Sequence, residues 1–117
     1  MGDRRNVLID QQADRPLVAL YTHWTGSELP QTVAAALDRG RGRWTDPAYL
    51  TRIIFSEMIR GDVRGETGFG IEAVERGKYD YCEADPGYDI EVNVPEQQIG
   101  WDRTWFSFDY FVEHFKE

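Results

Sequence analysis

The chain has 117 residues, of which 41% are apolar and 14% aromatic, enough for one packed domain and too few for two ordinary ones. It has no apolar run near the roughly 18–20 residues that span a bilayer, no secretion signal is predicted, and Cys82 has no second cysteine for an internal disulfide. We therefore expect a single α+β domain over residues 1–117, located in the cytoplasm and away from membranes.

Charge is distributed unevenly along the chain. Residues 1–60 carry eight Lys/Arg and seven Asp/Glu, for a net charge of +1, whereas residues 61–117 carry five and fourteen, for a net charge of −9. The acidic half argues against direct binding of nucleic acid, which requires a basic surface. It is compatible with an ordinary solvated surface or with a surface that mimics nucleic acid.

Two apolar runs near the N-terminus, residues 7–9 and residues 17–24, predict a β-hairpin. The connection between them contains Asp14, Arg15 and Pro16, which are residue types typical of turns. The mixed apolar character of the second run predicts a strand that is buried on both faces.

Two helices are predicted next along the chain. Ser27 is a favourable N-cap for a first helix over about 28–39, and Gly40 is expected to end it in the left-handed conformation. Asp46, followed by proline, predicts the start of a second helix over about 47–60. The expected buried stripes are Leu29, Val33, Ala36 and Leu37 in the first helix, and Leu50, Ile53, Ile54 and Met58 in the second.

In the second half of the chain the pattern changes to period two, which predicts strands. One strand begins at Phe69, a second lies around residues 79–81, and the clearest covers residues 88–94. Within that last strand, Asp89 and Glu91 are expected to lie on the solvated face of an antiparallel meander.

A short C-terminal helix is predicted by the helical spacing of Phe108, Phe111, Val112 and Phe115, with Ser107 as its cap. The resulting element order is β-β-α-α-β-β-β-α. The predicted fold class is therefore α+β, in two layers. An antiparallel sheet of about five strands carries two main helices and the short C-terminal helix on one face.

Residues 21–30, YTHWTGSELP, form a strand-to-helix corner that contains one histidine and one tryptophan. Successive strand residues point to opposite faces, so His23 and Trp24 cannot both face the core of a regular strand. In one interpretation Trp24 fills the corner and its indole N–H satisfies a carbonyl. In the other, both side chains line a pocket beside a helix N-terminus, which favours anions.

Residues 39–44, RGRGRW, form the strongest basic cluster of an acidic protein. Arginine binds phosphate through two parallel hydrogen bonds, glycine lets the backbone approach a ligand, and tryptophan stacks on bases or cations. Alternatively, Arg39 and Arg41 are solvated beside a helix C-terminus and pair with Asp38. The candidate ligand-binding residues here are Arg39, Arg41, Arg43, Trp44 and, from the second helix, Arg52.

Residues 67–70, TGFG, resemble a fragment of a phosphate-binding loop, which makes Thr67 a further candidate; the alternative is a bend at the start of a strand. The spacing of His and Cys predicts no metal site, and no nucleophile or dinucleotide-binding motif is present. We therefore expect no catalytic residue, no metal and no cofactor.

The runs YTHWTGSELP, LDRGRGRWTDPAYLTRIIFSEMI and ETGFGI resemble a family of small uncharacterised proteins from actinobacterial and phage genomes. The shared signature is an HW-G corner, an RW-D-P helix start, an RIIF stretch and a TG-x-GI strand, and the closing WFSFDYFVEHF is similar to the family's terminal helix. The resemblance covers most of the chain and brings no activity with it. It implies a phage context, in which small proteins often counter host defences.

These observations predict a non-enzymatic phage-type binding protein in the cytoplasm of the bacterial host. Its expected partner is a small anionic ligand, a nucleotide immune signal such as a cyclic nucleotide, held between the protomers of a homo-oligomer. The alternative is an acidic inhibitor that docks on the basic, nucleic-acid-binding surface of a host defence protein. A third prediction is a small hydrolase that uses His23 as a general base.

Overall fold

The computed structural model describes residues 5–23, 26–75 and 89–116. Within these ranges the strands are β1 (Arg5–Asp10), β2 (Leu17–Thr22), β3 (Phe69–Val74), β4 (Ile90–Asn93), β5 (Gln98–Trp101) and β6 (Thr104–Ser107). The helices are α1 (Leu29–Arg39), α2 (Pro47–Met58) and α3 (Phe108–Phe115), with short 3-10 turns over Gly26–Glu28 and Arg41–Arg43. Over the same ranges, each helix is too short or too polar to cross a bilayer.

The predicted α+β class is confirmed, with six strands in place of about five and with one parallel pair in the sheet. The strand order is β3-β2-β1-β4-β5-β6. Strands β1 and β4 run parallel, with Val7 opposite Ile90, and the other neighbours are antiparallel. Residues 75–89 connect β3, at one end of the strand order, to β4, which lies beside β1. The strand predicted around residues 79–81 lies outside the described residues.

The core lies between the helices and one face of the sheet. Alternate residues of the inner strands point toward the helices, as the pleat of a strand requires. The fully buried strand residues of this core are Val7, Ile9, Leu20, Ile90, Val92 and Ile99. They form one apolar cluster with side chains of all three helices. The predicted stripes are confirmed in both long helices, except that Ile53 is only partly buried.

The second face of the sheet is also covered at its centre. Leu8 pairs with Ala19 and Glu91 across the neighbouring strands, and all three side chains are buried. Glu91 and Asp89 are each only 8% exposed, and Asp89 Oδ1 accepts the backbone N–H of Asn6 at 2.9 Å. The prediction of a solvated face for these acids is therefore wrong, because β4 is an inner strand rather than part of an outer meander.

Two of the predicted helix starts are confirmed by their capping geometry. The carboxylate of Asp46 accepts the backbone N–H of Tyr49 at 3.3 Å at the start of α2. The hydroxyl of Ser107 accepts the backbone N–H of Tyr110 at 3.1 Å at the start of α3. Each bond satisfies an N–H group that has no partner inside its helix.

The predicted ends of α1 are wrong in detail. Ser27 lies inside a 3-10 turn, and α1 begins after Glu28 without a side-chain cap. Gly40 ends the helix with φ of −96°, which is not the left-handed conformation. A Cβ at Gly40 would lie 3.2 Å from Ile53 Cδ1 and 3.3 Å from Leu50 Cδ1. The glycine therefore allows close packing of α1 on α2.

Strands β5 and β6 form a hairpin that the sequence pattern did not predict. Asp102 and Arg103 connect them with φ of 52° and 63°. Two consecutive residues with positive φ are typical of a type I′ turn, which usually contains Asn-Gly or Asp-Gly. The ring of Trp105 packs over Gly100 of the partner strand, where a Cβ would lie 3.0 Å from it.

Candidate functional site

The residues predicted to bind a ligand lie in separate places in the structure. Residues 39–44, here called the arginine loop, lie where α1 turns into α2. His23 follows the end of β2, and Thr67 lies in the loop between α2 and β3. Arg52 is exposed on α2, and Trp24 is outside the described residues. No single site unites them within the described part of the chain.

Arg39 holds the end of α1 against α2. Its guanidinium donates to Ser56 Oγ at 2.7 Å and to the carbonyl of Ile53 at 3.3 Å. Its Nε lies 3.2 Å from Glu57 Oε1, and Arg60 pairs with the other oxygen of that carboxylate at 2.9 Å. The Glu57 side chain is only 9% exposed, and a carboxylate that buried requires charged partners. Arg39 therefore contributes to helix packing.

Arg41 connects α1 to α3. Its Nε lies 3.0 Å from Asp38 Oδ1, and its other guanidinium edge lies 2.9 Å from Asp109 Oδ1. Hydrogen bonds to Asp109 and then to Asp38 raise the pKa of Arg41. Hydrogen bonds from Lys116, at 2.7 Å, and from Arg41 lower the pKa of Asp38 below its ordinary value. These ion pairs fasten the C-terminal helix to the rest of the helix layer.

Trp44 packs into the turn between α1 and α2. Its Nε1 donates to the carbonyl of Leu37 at 2.9 Å, and its ring meets Phe108 edge to face with the centroids 5.2 Å apart. The Arg41 guanidinium lies 5.2 Å from the centroid of the Trp44 ring. The indole N–H and much of the ring are thus engaged within the protein, as expected for a partly buried tryptophan.

Arg43 is the third arginine of the loop, and it lies over the ring of Tyr49, 4.7 Å from the centroid. Its guanidinium is 3.8 Å from Asp46 Oδ2, which makes this the longest ion pair of the three arginines. Each arginine of the loop therefore faces at least one carboxylate of the same chain. A phosphate would have to compete with those carboxylates for the same N–H donors.

His23 stacks on Tyr21, with ring centroids 5.2 Å apart and planes at 24°. Because Leu20 points into the core, Tyr21 and His23 point to the opposite face of the sheet. The His23 backbone N–H donates to the carbonyl of Gly68 at 2.8 Å, which extends the pairing of β2 with β3. The Tyr21 ring occupies the space above Gly70 that a side chain would fill. That contact gives Gly70 a packing role.

A cavity that the sequence did not predict lies between the end of α2 and the start of β3. Its volume is about 460 Å³, within the range of roughly 300–1,000 Å³ that is typical of small-molecule sites. The lining residues are Met58, Gly61, Asp62, Gly65, Glu66, Thr67 and Phe69. Of the residues predicted to bind a ligand, Thr67 lies here.

The cavity combines an apolar wall with polar groups that have no partner among the described residues. Met58 and Phe69 supply the apolar wall and pack against the core. In the part of the chain that the structure describes, the carboxylates of Asp62 and Glu66 form no ion pair or hydrogen bond, and the Thr67 hydroxyl has no partner. The cavity thus differs from the arginine loop, where the charged groups are paired with one another.

Glycines determine the shape of the loop around the cavity. The Asp62 carboxylate occupies the space above Gly65 that a side chain would fill, and Gly68 has a φ of 94°, which favours glycine. Gly61 is different, because a Cβ built there has no atom within 4 Å. A Cβ at Gly61 is therefore accommodated without a steric clash, at the margin of the cavity.

A smaller cavity of about 280 Å³ lies between α1 and the end of α2. Its lining residues are Glu28, Gln31, Thr32, Ala35, Glu57 and Arg60. Glu57 and Arg60 pair with each other at 2.9 Å, which neutralises these two charges and leaves Glu28 as the third charged residue of the lining. This cavity is therefore a weaker candidate than the one beside β3.

No family model, curated protein or solved structure matches the chain. The resemblance to small actinobacterial and phage proteins stays a prediction. In the described ranges, no three His, Cys, Asp or Glu residues are grouped so that they could hold a metal ion. Among the described features, the cavity beside β3 gives the strongest support for a function.

Proposed function

We propose that this protein is a small-molecule-binding protein whose ligand occupies the cavity between α2 and β3. The observation that supports this is the combination, in one place, of a suitable volume, an apolar wall and polar groups that have no partner in the described ranges. The apolar wall favours a ligand with an aromatic or aliphatic body. The two free carboxylates favour a positively charged group, such as an ammonium, on the same ligand.

The ligand proposed here carries a positive charge, whereas the ligand predicted from the sequence carries a negative charge. Sequestration of an anionic nucleotide at the arginine loop stays a prediction, and it requires the arginines to leave their present carboxylate partners. At the cavity no such exchange is needed, since Asp62 and Glu66 are unpaired among the described residues. A cation there gains a charge-assisted contact without breaking an existing one.

The other functions predicted from sequence gain no support from the described residues. Asp89 and Glu91 are buried, so they add little to an acidic surface for docking on a host protein. The His23 ring stacks on Tyr21, and no carboxylate of the described residues orients it as the general base of a hydrolase.

The proposal is tested with two probes that share one aromatic body. Tryptamine carries an ammonium and indole-3-acetate carries a carboxylate. We expect tryptamine to bind with a Kd in the low millimolar range or below, because about a dozen heavy atoms at roughly 0.3 kcal/mol per atom give about 3.6 kcal/mol, a Kd of about 2 mM. Indole-3-acetate should bind more weakly. A titration followed by amide NMR should show shifts concentrated in residues 58–69.

The location is tested by one substitution made at two glycines. Gly61→Leu fills the margin of the cavity, and Gly42→Leu makes the same change in the arginine loop, where a Cβ also has no atom within 4 Å. We expect Gly61→Leu to abolish tryptamine binding and Gly42→Leu to preserve it. A folded wild-type protein that binds neither probe contradicts the proposal. Equal binding of both probes contradicts the assigned charge, and unchanged binding in Gly61→Leu contradicts the location.

A further inference from the structure

The outer edge of β3 carries backbone groups that no described strand uses. Strand β3 is an end of the sheet order, and its described neighbour is β2. The bond from His23 N–H to the Gly68 carbonyl fixes which residues of β3 face β2. Hydrogen-bonded pairs alternate along an antiparallel ladder, so Gly70 bonds toward β2. The N–H and C=O groups of Ile71 and Ala73 therefore point outward.

Among the described residues, this edge has few of the features that usually prevent edge-to-edge pairing. Proteins protect edge strands with short length, proline, lysine or bulges. Strand β3 has six residues, FGIEAV, with Glu72 as its one charged residue, and Ile71 at its centre is 61% exposed. The opposite edge, β6, is four residues long and passes directly into α3. The two edges of the sheet are therefore not equivalent.

We propose that the outer edge of β3 pairs antiparallel with β3 of a second copy of this chain, which joins two sheets into one. The register of the two strands is fixed when each outward N–H and C=O group forms a hydrogen bond with the second copy. Ile71 lies opposite Ile71 of the second copy on a two-fold axis, and Phe69 lies opposite its Ala73. The two exposed isoleucines then cover each other on the helix side of the sheet. The proposal depends on the strand edge and not on the cavity.

The other face of the same register is complementary in polarity. Glu72 lies opposite Gly70 of the second copy rather than opposite another Glu72, so no like charges meet. Above Gly70 lies the Tyr21 ring with its hydroxyl group. Neither the Tyr21 hydroxyl nor the Glu72 carboxylate has a partner among the described residues. In the pair of copies this O–H is placed to donate to the carboxylate, twice by symmetry.

The oligomeric state of the full chain tests the proposal, measured by sedimentation velocity over a range of concentrations. Wild type is expected to dimerise. Ile71→Lys places two ammonium groups opposite each other and should weaken the dimer by roughly tenfold or more. Ala73→Pro removes an outward N–H and leaves the bonds to β2 intact, so it should have the same effect without unfolding the chain. Val63→Lys makes an equivalent change at an exposed loop residue and should leave the dimer unchanged.

Amide exchange tests the register. The amides of Ile71 and Ala73 should gain protection as the concentration rises, whereas those of Gly70 and Glu72 should be protected throughout. A wild-type chain that stays monomeric near 1 mM, roughly the upper end of practical concentrations, overturns the proposal and leaves the edge to a different chain. A dimer that survives both Ile71→Lys and Ala73→Pro, with circular dichroism unchanged, also overturns it.

Discussion

The role of each arginine in this protein depends on the carboxylates with which it forms ion pairs. Arg39 and Arg60 share the nearly buried carboxylate of Glu57, and Arg41 shares Asp38 with Lys116. The arginine run of the sequence is visible without any knowledge of the fold. Two of its carboxylate partners, Glu57 and Asp109, come from positions that are distant in sequence. These contacts decide whether the same side chains bind a ligand or hold helices together.

The ion pairs of Asp38 lead to a prediction about the pKa of this single residue. Lys116 and then Arg41 lower the pKa of its carboxyl, so Asp38 should titrate below an ordinary aspartate in carbon-detected NMR. Lys116→Met should raise that midpoint, because it removes the largest cause. Arg103→Met, at an exposed arginine elsewhere, should leave it unchanged. If Lys116→Met does not move the midpoint, the ion pair is absent in solution.

The lowered pKa of Asp38 also determines how the stability of the fold changes with pH. A carboxyl whose pKa is lowered by folding stabilises the folded state above the pKa of the unfolded chain. That contribution is lost as the pH falls through the lower pKa of the folded state. The Asp38 side chain is about one-third exposed and its ion pairs lie at the surface, so we expect the effect to be small and to decrease with salt.

At the scale of elements, the turn between α1 and α2 depends on close packing at Gly40. A Cβ there would lie 3.1 Å from the carbonyl of Ala36 and little farther from two side chains of α2. We expect Gly40→Ala to lower the free energy of unfolding by about 1 kcal/mol or more, since overpacking typically costs 1–3 kcal/mol. Urea unfolding measures this change.

Gly42 supplies the matched control for that substitution. A Cβ at Gly42 meets no atom within 4 Å, and its φ is not positive. Gly42→Ala should therefore be neutral or stabilise by about 0.4–1 kcal/mol through the unfolded chain. Equal effects at the two glycines would show that close packing of α1 on α2 is not what requires Gly40.

The elements that the sequence predicted correctly are those whose signals are local. The caps at Asp46 and Ser107 and the apolar stripes of α1 and α2 need only a few neighbouring residues, and they are confirmed. The hairpin at Asp102 and Arg103 was missed because its turn lacks the usual glycine. The parallel pairing of β1 with β4 was also missed, since pairing over that distance leaves no local pattern.

The candidate site was harder to predict than the fold for the same reason. The sequence singled out Thr67, but it contained no sign that Met58 and Phe69 form the wall of a cavity with it. Apolar residues at the end of a helix and the start of a strand are ordinary core positions in a sequence pattern. They become a site only where the loop between them leaves space unfilled.

At the scale of the whole molecule, the parallel pair β1–β4 joins the two parts of the chain. Strands β2 and β3 lie on one side of it and the β5–β6 hairpin on the other, within one sheet. The buried cluster includes Ile9 from the first part and Ile99 from the second. Ion pairs of Asp38 and Arg41 with Lys116 and Asp109 add a second connection through the helix layer.

This arrangement predicts that the chain unfolds as one cooperative unit. Ile9→Val and Ile99→Val each remove one buried methylene group, so each should lower the free energy of unfolding by about 0.5–1.5 kcal/mol. Both should shift the same transition, because neither part of the sheet keeps a complete core without the other. Circular dichroism and tryptophan fluorescence, recorded at one protein concentration, should give coincident urea curves for wild type and both variants. Separate transitions, with Ile99→Val lowering only one, would show that the C-terminal hairpin and α3 fold apart from the rest.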